Sequence, residues 1–84
     1  MNVYFITFRS VTPAQRGQAV LEGEGLRSVL ARTPRWMEER GCGYSLRLRC
    51  DDAAYYVRLL RQRGVDFRKV YRRRSDGSME EVAV

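Results

Sequence analysis

The residues best suited to chemistry are a cysteine between two glycines, Gly41-Cys42-Gly43, just before the strand-like run Tyr44-Ser45-Leu46-Arg47-Leu48-Arg49. Glycines on both sides remove side-chain cover and allow backbone angles that other residues resist. A thiol held in this way is presented to solvent more readily than it is packed into a core. Arg35, Arg40 and Arg47 stand close in sequence, and nearby positive charge lowers a thiol pKa towards the reactive thiolate. The competing reading is a small apolar residue at a tight turn, since free cysteines are usually buried and inert. The residues by themselves leave both open.

The rest of the inventory narrows the chemistry. Two cysteines and no histidine fall short of the four ligands of a structural zinc site. They also exclude histidine-dependent triads and general-base chemistry. If residues 42 to 50 are extended, eight steps of roughly 3.3 Å separate the cysteines by about 25 Å, far beyond the ~7 Å limit for a disulfide. Any transfer or redox chemistry therefore rests on one thiol at a time, and no cofactor or metal is expected.

Eighty-four residues make one small domain, and the apolar share of 44% with nine aromatics is that of a folded chain. No window approaches the roughly 18 consecutive apolar residues of a membrane helix. The first residues carry no basic segment, apolar run and cleavage site in series, so a cytoplasmic location is expected. Net charge is +6, from fifteen arginines and one lysine. Such a balance suits nucleic acid or an acidic partner, although codon bias with arginines on solvated faces is the favoured explanation. The charges are spread along the chain, apart from Arg68-Lys69 and Arg72-Arg73-Arg74.

The elements that must position the thiol follow from local pattern. Val3-Tyr4-Phe5-Ile6-Thr7-Phe8 is β-branched and aromatic, the mark of a central strand. Thr12 suits a helix N-cap, Pro13 the first helical position and Gln15 a capping box. Ala14, Gly17, Val20 and Leu21 supply the apolar stripe, and Gly25 ends the helix. Leu26 to Arg32 predicts a second strand, halted by Thr33-Pro34. Residues 35–43 form a loop, with one helical turn around Trp36-Met37-Glu38-Glu39. In the third strand Tyr44, Leu46, Leu48 and Cys50 share one face, and Ser45, Arg47 and Arg49 the other. Cys50 is thus a structural, core-facing strand end.

Asp51 or Asp52 caps a second helix with Ala53, Tyr56, Val57 and Leu60 inward, closed by Gly64. Val65 to Tyr71 predicts a fourth strand with a bulge between Phe67 and Val70. Asp76-Gly77 is a hairpin dipeptide. A two-residue turn there pairs Arg73 with Glu80, Arg72 with Glu81 and Tyr71 with Val82, adding an edge strand. The order β-α-β-β-α-β gives an α+β, ferredoxin-like architecture with two helices on one face of a four-stranded antiparallel sheet. We divide the chain into a domain over 1–74 and a hairpin extension over 75–84.

Thr33-Pro34-Arg35, then Cys42-Gly43-Tyr44-Ser45-Leu46-Arg47, carries a family likeness. Together with the opening strand Tyr4 to Phe8, the Ser/Thr-rich helix start and the final run Gly64-Val65 to Tyr71, it resembles the small putative selenium/sulfur carrier proteins over about residues 3 to 72. The Pro34-to-Cys42 loop is about one residue longer than the family pattern, and Cys50 replaces an apolar residue. The resemblance implies that Cys42 carries a terminal sulfur or selenium as a persulfide or perselenide. Arg35, Arg40, Gly41 and Gly43 would support the anion. No second cysteine is placed to resolve the adduct, so release needs a partner protein. The expected role is a carrier between chalcogen donor and acceptor proteins more than a self-contained enzyme.

Two other readings use the same residues. Arg40-Gly41-Cys42-Gly43-Tyr44 resembles part of the RNP1 signature of RNA-recognition motifs, and Val3-Tyr4-Phe5-Ile6 their RNP2 strand, with Tyr4 and Tyr44 as the candidate base platforms. Cys42 and Arg47 stand where that signature has aromatics, which leaves weak, mainly electrostatic binding. Alternatively, one apolar side of the first strand, Tyr4-Ile6-Phe8 or Val3-Phe5, lies away from the helices and is covered by a second copy, giving a homodimer.

Overall fold

The structure is a computed structural model and describes residues 2–33 and 43–83. Its elements are β1 (Asn2–Phe8), α1 (Val11–Gly23), β2 (Val29–Arg32), β3 (Tyr44–Cys50), α2 (Ala54–Gln62), β4 (Val70–Arg73) and β5 (Met79–Glu81). The strands form one sheet in the order β2-β3-β1-β4-β5, and every neighbouring pair is antiparallel. This is the expected ferredoxin-like arrangement with the fifth strand added at one edge.

The alternation of β1 and β3 decides which side is core. Asn2↔Cys50 through Phe8↔Tyr44 pair without a break. Tyr4, Ile6 and Phe8 therefore share a side with Leu46 and Leu48, and all five are buried. The helices close over that side with Ala14, Leu21, Tyr56, Val57 and Leu60, the positions expected from helical spacing, joined by Leu59. Gly17 belongs to the same contact. A Cβ there would meet Phe8 Cζ at 3.2 Å and Leu46 Cδ1 at 3.3 Å, so α1 approaches the sheet closely because this residue has no side chain.

Both helices end alike. Gly25 and Gly64 have φ of 75° and 70°. The next residue's N–H then turns back to the carbonyl of Leu21 (from Leu26) and of Leu60 (from Val65), each at 2.9 Å. Helix starts departed from expectation. Ser10, in extended geometry, precedes α1, and Thr12 and Pro13 lie inside its first turn. The first N–H groups of a helix have no intrahelical acceptor, so proline is tolerated throughout that turn and does not mark its first residue. At α2 the cap is Ala53 and neither expected aspartate; the Asp52 carboxylate, one residue earlier, accepts from the Ala54 N–H at 3.0 Å.

Two strand starts are corrected. The second strand begins at Val29 and not Leu26, because Leu26 is still tied to the end of α1 and Gln18 Nε2 donates to the Ser28 carbonyl at 3.4 Å. The fourth strand begins at Val70 and not Val65. The expected bulge explains this, as Arg68 and Lys69 both face Thr7. Arg68 N–H donates to the Thr7 carbonyl (2.7 Å), Lys69 N–H to Thr7 Oγ1 (3.1 Å), and Thr7 N–H to the Lys69 carbonyl (2.9 Å).

The hairpin register is displaced by one residue, to Tyr71↔Glu81, Arg72↔Glu80 and Arg73↔Met79. The turn holds three residues, because Gly77 N–H bonds to the Arg74 carbonyl (2.9 Å) and Gly77 then takes φ 88° before Ser78 rejoins the ladder. The opposite charges still meet, with different partners. Glu80 is held by Arg72 and, at 2.9 Å, by Arg74; Lys69 lies 3.7 Å from Glu81.

Hydrogen bonds from Arg74 and then Arg72 hold the Glu80 carboxyl below the ordinary glutamate value. A depressed folded pKa means this contribution is present above the unfolded value and fades as pH falls through the folded one. An NMR carboxyl titration is expected to show Glu80 ionising below a normal glutamate, and Arg74→Ala to move it back towards normal. An unshifted wild-type midpoint would contradict the clasp.

Candidate functional site

β2 and β3 run antiparallel, so the end of one and the start of the other meet where the chain leaves for residues 34–42. Arg32 pairs with Tyr44, and its guanidinium carbon lies 5.7 Å from the centre of that ring. One step further, Thr33 N–H donates to the Gly43 carbonyl at 2.9 Å. These contacts form a neck that fixes both stems of the segment carrying the candidate thiol. Of the predicted site residues, the structure places Gly43, which is buried in the neck. Cys42, Gly41, Arg35 and Arg40 lie outside the described residues, as do the expected helical turn at Trp36 to Glu39 and most of the 35–43 loop.

The neck adds two residues that the sequence did not single out. Thr33 is 5% exposed, and its buried Oγ1 has no hydrogen-bond partner among the described residues. A hydroxyl in that state carries an unused donor at a cost. Arg32 is exposed and brings a permanent cation to the same point. The neck thus offers a cation and an O–H next in sequence to the segment that holds residue 42. The sequence signal for Arg32 was its place at a strand end before Thr33-Pro34; nothing local marked the Thr33 hydroxyl as unsatisfied.

Cys50, at the far end of β3, behaves oppositely. It is partly buried against the core and carries a free thiol. Burial first, then the charges of Asp52 and Asp51, push its pKa up, outweighing the Asp52 backbone hydrogen bond that lowers it. The thiol is held protonated and is a poor nucleophile, in keeping with the structural role expected for it. Among the described residues no group of three or more His, Cys, Asp or Glu side chains could hold a metal ion. No helix among the described residues is long and apolar enough to cross a membrane.

The RNP-like platform does not form. Tyr4 is 6% exposed within the core, its hydroxyl donating to the Asp51 carbonyl at 3.4 Å. Tyr44 has the same parity as Leu46 and Leu48 and packs against the helix-side core. The open side of the sheet carries Val3, Phe5, Arg47 and Arg49 instead. The likeness to that signature is one of letters, since the register turns both tyrosines inward.

Comparison with known proteins is confined to one finding. No curated protein and no solved structure matches the chain. The family model described as "Putative Se/S carrier protein-like" matches residues 3–72, which take in both helices, β1 to β3 and most of β4 together with Cys42-Gly43 and the neck. The chain belongs to the putative Se/S carrier protein-like family.

Proposed function

We propose that the protein carries a single sulfur or selenium atom on Cys42, as a persulfide or perselenide, and hands it to an acceptor protein. Family membership over residues 3–72 carries this reading. The chemistry at the neck supports it. In loading, the Cys42 thiolate attacks the outer chalcogen of a donor persulfide or its selenium analogue. A new S–S or S–Se bond forms, the donor's own bond breaks, and its electron pair leaves on the donor thiolate. The product ends in an anionic chalcogen. The Arg32 guanidinium and the unpartnered Thr33 hydroxyl would stabilise that charge, with Arg35, Arg40 and the N–H groups beside Gly41 and Gly43 as further donors.

Unloading reverses the step onto the acceptor's thiolate, so no net oxidant or reductant is consumed. Cys50 sits at the opposite end of β3 with its thiol held protonated. It is no resolving partner, and the adduct waits for another protein. The role is that of a carrier, and the cytoplasm, where exposed thiols stay reduced, is its proposed location.

Intact-mass measurement after incubation with a cysteine desulfurase and cysteine tests loading. The wild type and Cys50→Ser are expected to gain one sulfur, and Cys42→Ser none. An unchanged wild type, or an adduct that persists in Cys42→Ser, would overturn the proposal.

Thr33→Val separates support from scaffold. Removing an unsatisfied buried hydroxyl is expected to leave urea stability unchanged or higher by up to ~1 kcal/mol, while loading slows several-fold. Equal loading rates in both proteins would remove Thr33 from the site.

A further inference from the structure

The side of the sheet away from the helices is unclaimed by the carrier reading. One row of residues crosses all five strands there: Val29, Arg47, Phe5, Tyr71 and Glu81, each the registered partner of the next. Phe5 and Tyr71 are half-buried neighbours, Val29 is 48% exposed, and Arg47 projects to solvent beside Phe5. Arg73 lays its guanidinium carbon 5.3 Å from the Phe5 ring centre, and Arg49 is registered with Val3. Around the β2 edge, Arg47 and Arg49 also line a cleft of ≈ 450 Å³ with Arg27, Ser28, Val29 and, from the helix side, Tyr56.

Charge selects the occupant. Among the described residues the guanidinium groups of Arg27, Arg47 and Arg49 make no salt bridge, whereas Arg72, Arg74 and Lys69 are tied to Glu80 and Glu81. The one acid in the row, Glu81, is shared with Lys69. A second copy seated on this side by a two-fold axis would bring like-charged arginines together. A ligand with regularly spaced phosphates and flat bases meets both features at once. Phosphates neutralise the arginines around the cleft, and bases stack on an aromatic pair one strand away. Strand spacing of ~4.8 Å sets the cleft-side Arg47 and the Phe5–Tyr71 pair within reach of adjacent nucleotides.

We infer that the open side of the sheet binds single-stranded nucleic acid, with Arg27, Arg47 and Arg49 on phosphates and Phe5 and Tyr71 on bases. This is a different residue set from the RNP-like one, and it stands independently of chalcogen transfer.

Fluorescence anisotropy with a labelled oligouridylate of about 12 nucleotides tests it, with heparin as a polyanion that lacks bases. Binding is expected, weakening as salt rises from about 50 to 200 mM. Arg47→Glu with Arg49→Glu is expected to weaken oligonucleotide and heparin alike by roughly tenfold or more. Phe5→Leu with Tyr71→Leu is expected to weaken the oligonucleotide roughly tenfold and leave heparin unchanged. Tyr71→Leu alone serves if the double variant fails to fold. No binding by the wild type at low salt overturns the inference, as does indifference to charge reversal. Equal losses for both ligands in the aromatic variant also overturn it, because stacking is then absent. Sedimentation showing a dimer that Arg47→Glu disrupts would assign the face to a second copy and refute it.

Discussion

The uninterrupted pairing of β1 with β3 is the constraint from which the rest of this structure follows. Seven consecutive residue pairs, from Asn2↔Cys50 to Phe8↔Tyr44, leave no freedom of register. A slip of one residue would turn Leu46 and Leu48 to water and drive Arg47 and Arg49 into the core. A second ladder, between β2 and β3, brings the start of β3 beside the end of β2, where Thr33 and Gly43 bond across the neck. Core and open face follow from the first ladder, and the neck from the second.

The two ends of β3 offer different surroundings. Cys50 ends β3 next to Asp51 and Asp52, partly under apolar cover, and both effects favour the neutral thiol. Cys42 lies two residues before Tyr44, where β3 begins, and its proposed role draws on Arg32 and the Thr33 hydroxyl of the neck. Electrostatics along one strand thus runs from acid-flanked at one end to base-flanked at the other. A protein that must hold an anionic chalcogen on one sulfur, and keep it off the other, gains from this separation.

Much of the fold was legible because its signals are local. The period-two pattern of β3, the apolar stripes of both helices and the glycines at their ends each specify structure within a few residues. What failed depended on contacts between distant segments or on backbone angles. The hairpin register turned on whether Gly77 closes the turn or follows it, and one left-handed residue moved every pair by one. β4 starts late because Arg68 and Lys69 share Thr7, a residue about sixty positions away. Tyr4 and Tyr44 matched a familiar signature, yet parity set by the β1–β3 ladder turned them inward. At the site, the Gly-Cys-Gly run could be read directly. The buried, unpartnered state of Thr33 could not, because it exists only once β2 and β3 are joined.

The account stands or falls on a difference in acidity between Cys42, ahead of β3, and Cys50, at its end. The most direct measurement is the pH dependence of alkylation at each cysteine, followed by peptide mass in the folded protein. Cys42 is expected to react with a midpoint below that of an ordinary thiol, and Cys50 with one above it. A Cys42 midpoint equal to or higher than that of Cys50 would contradict the assignment of the carrying sulfur.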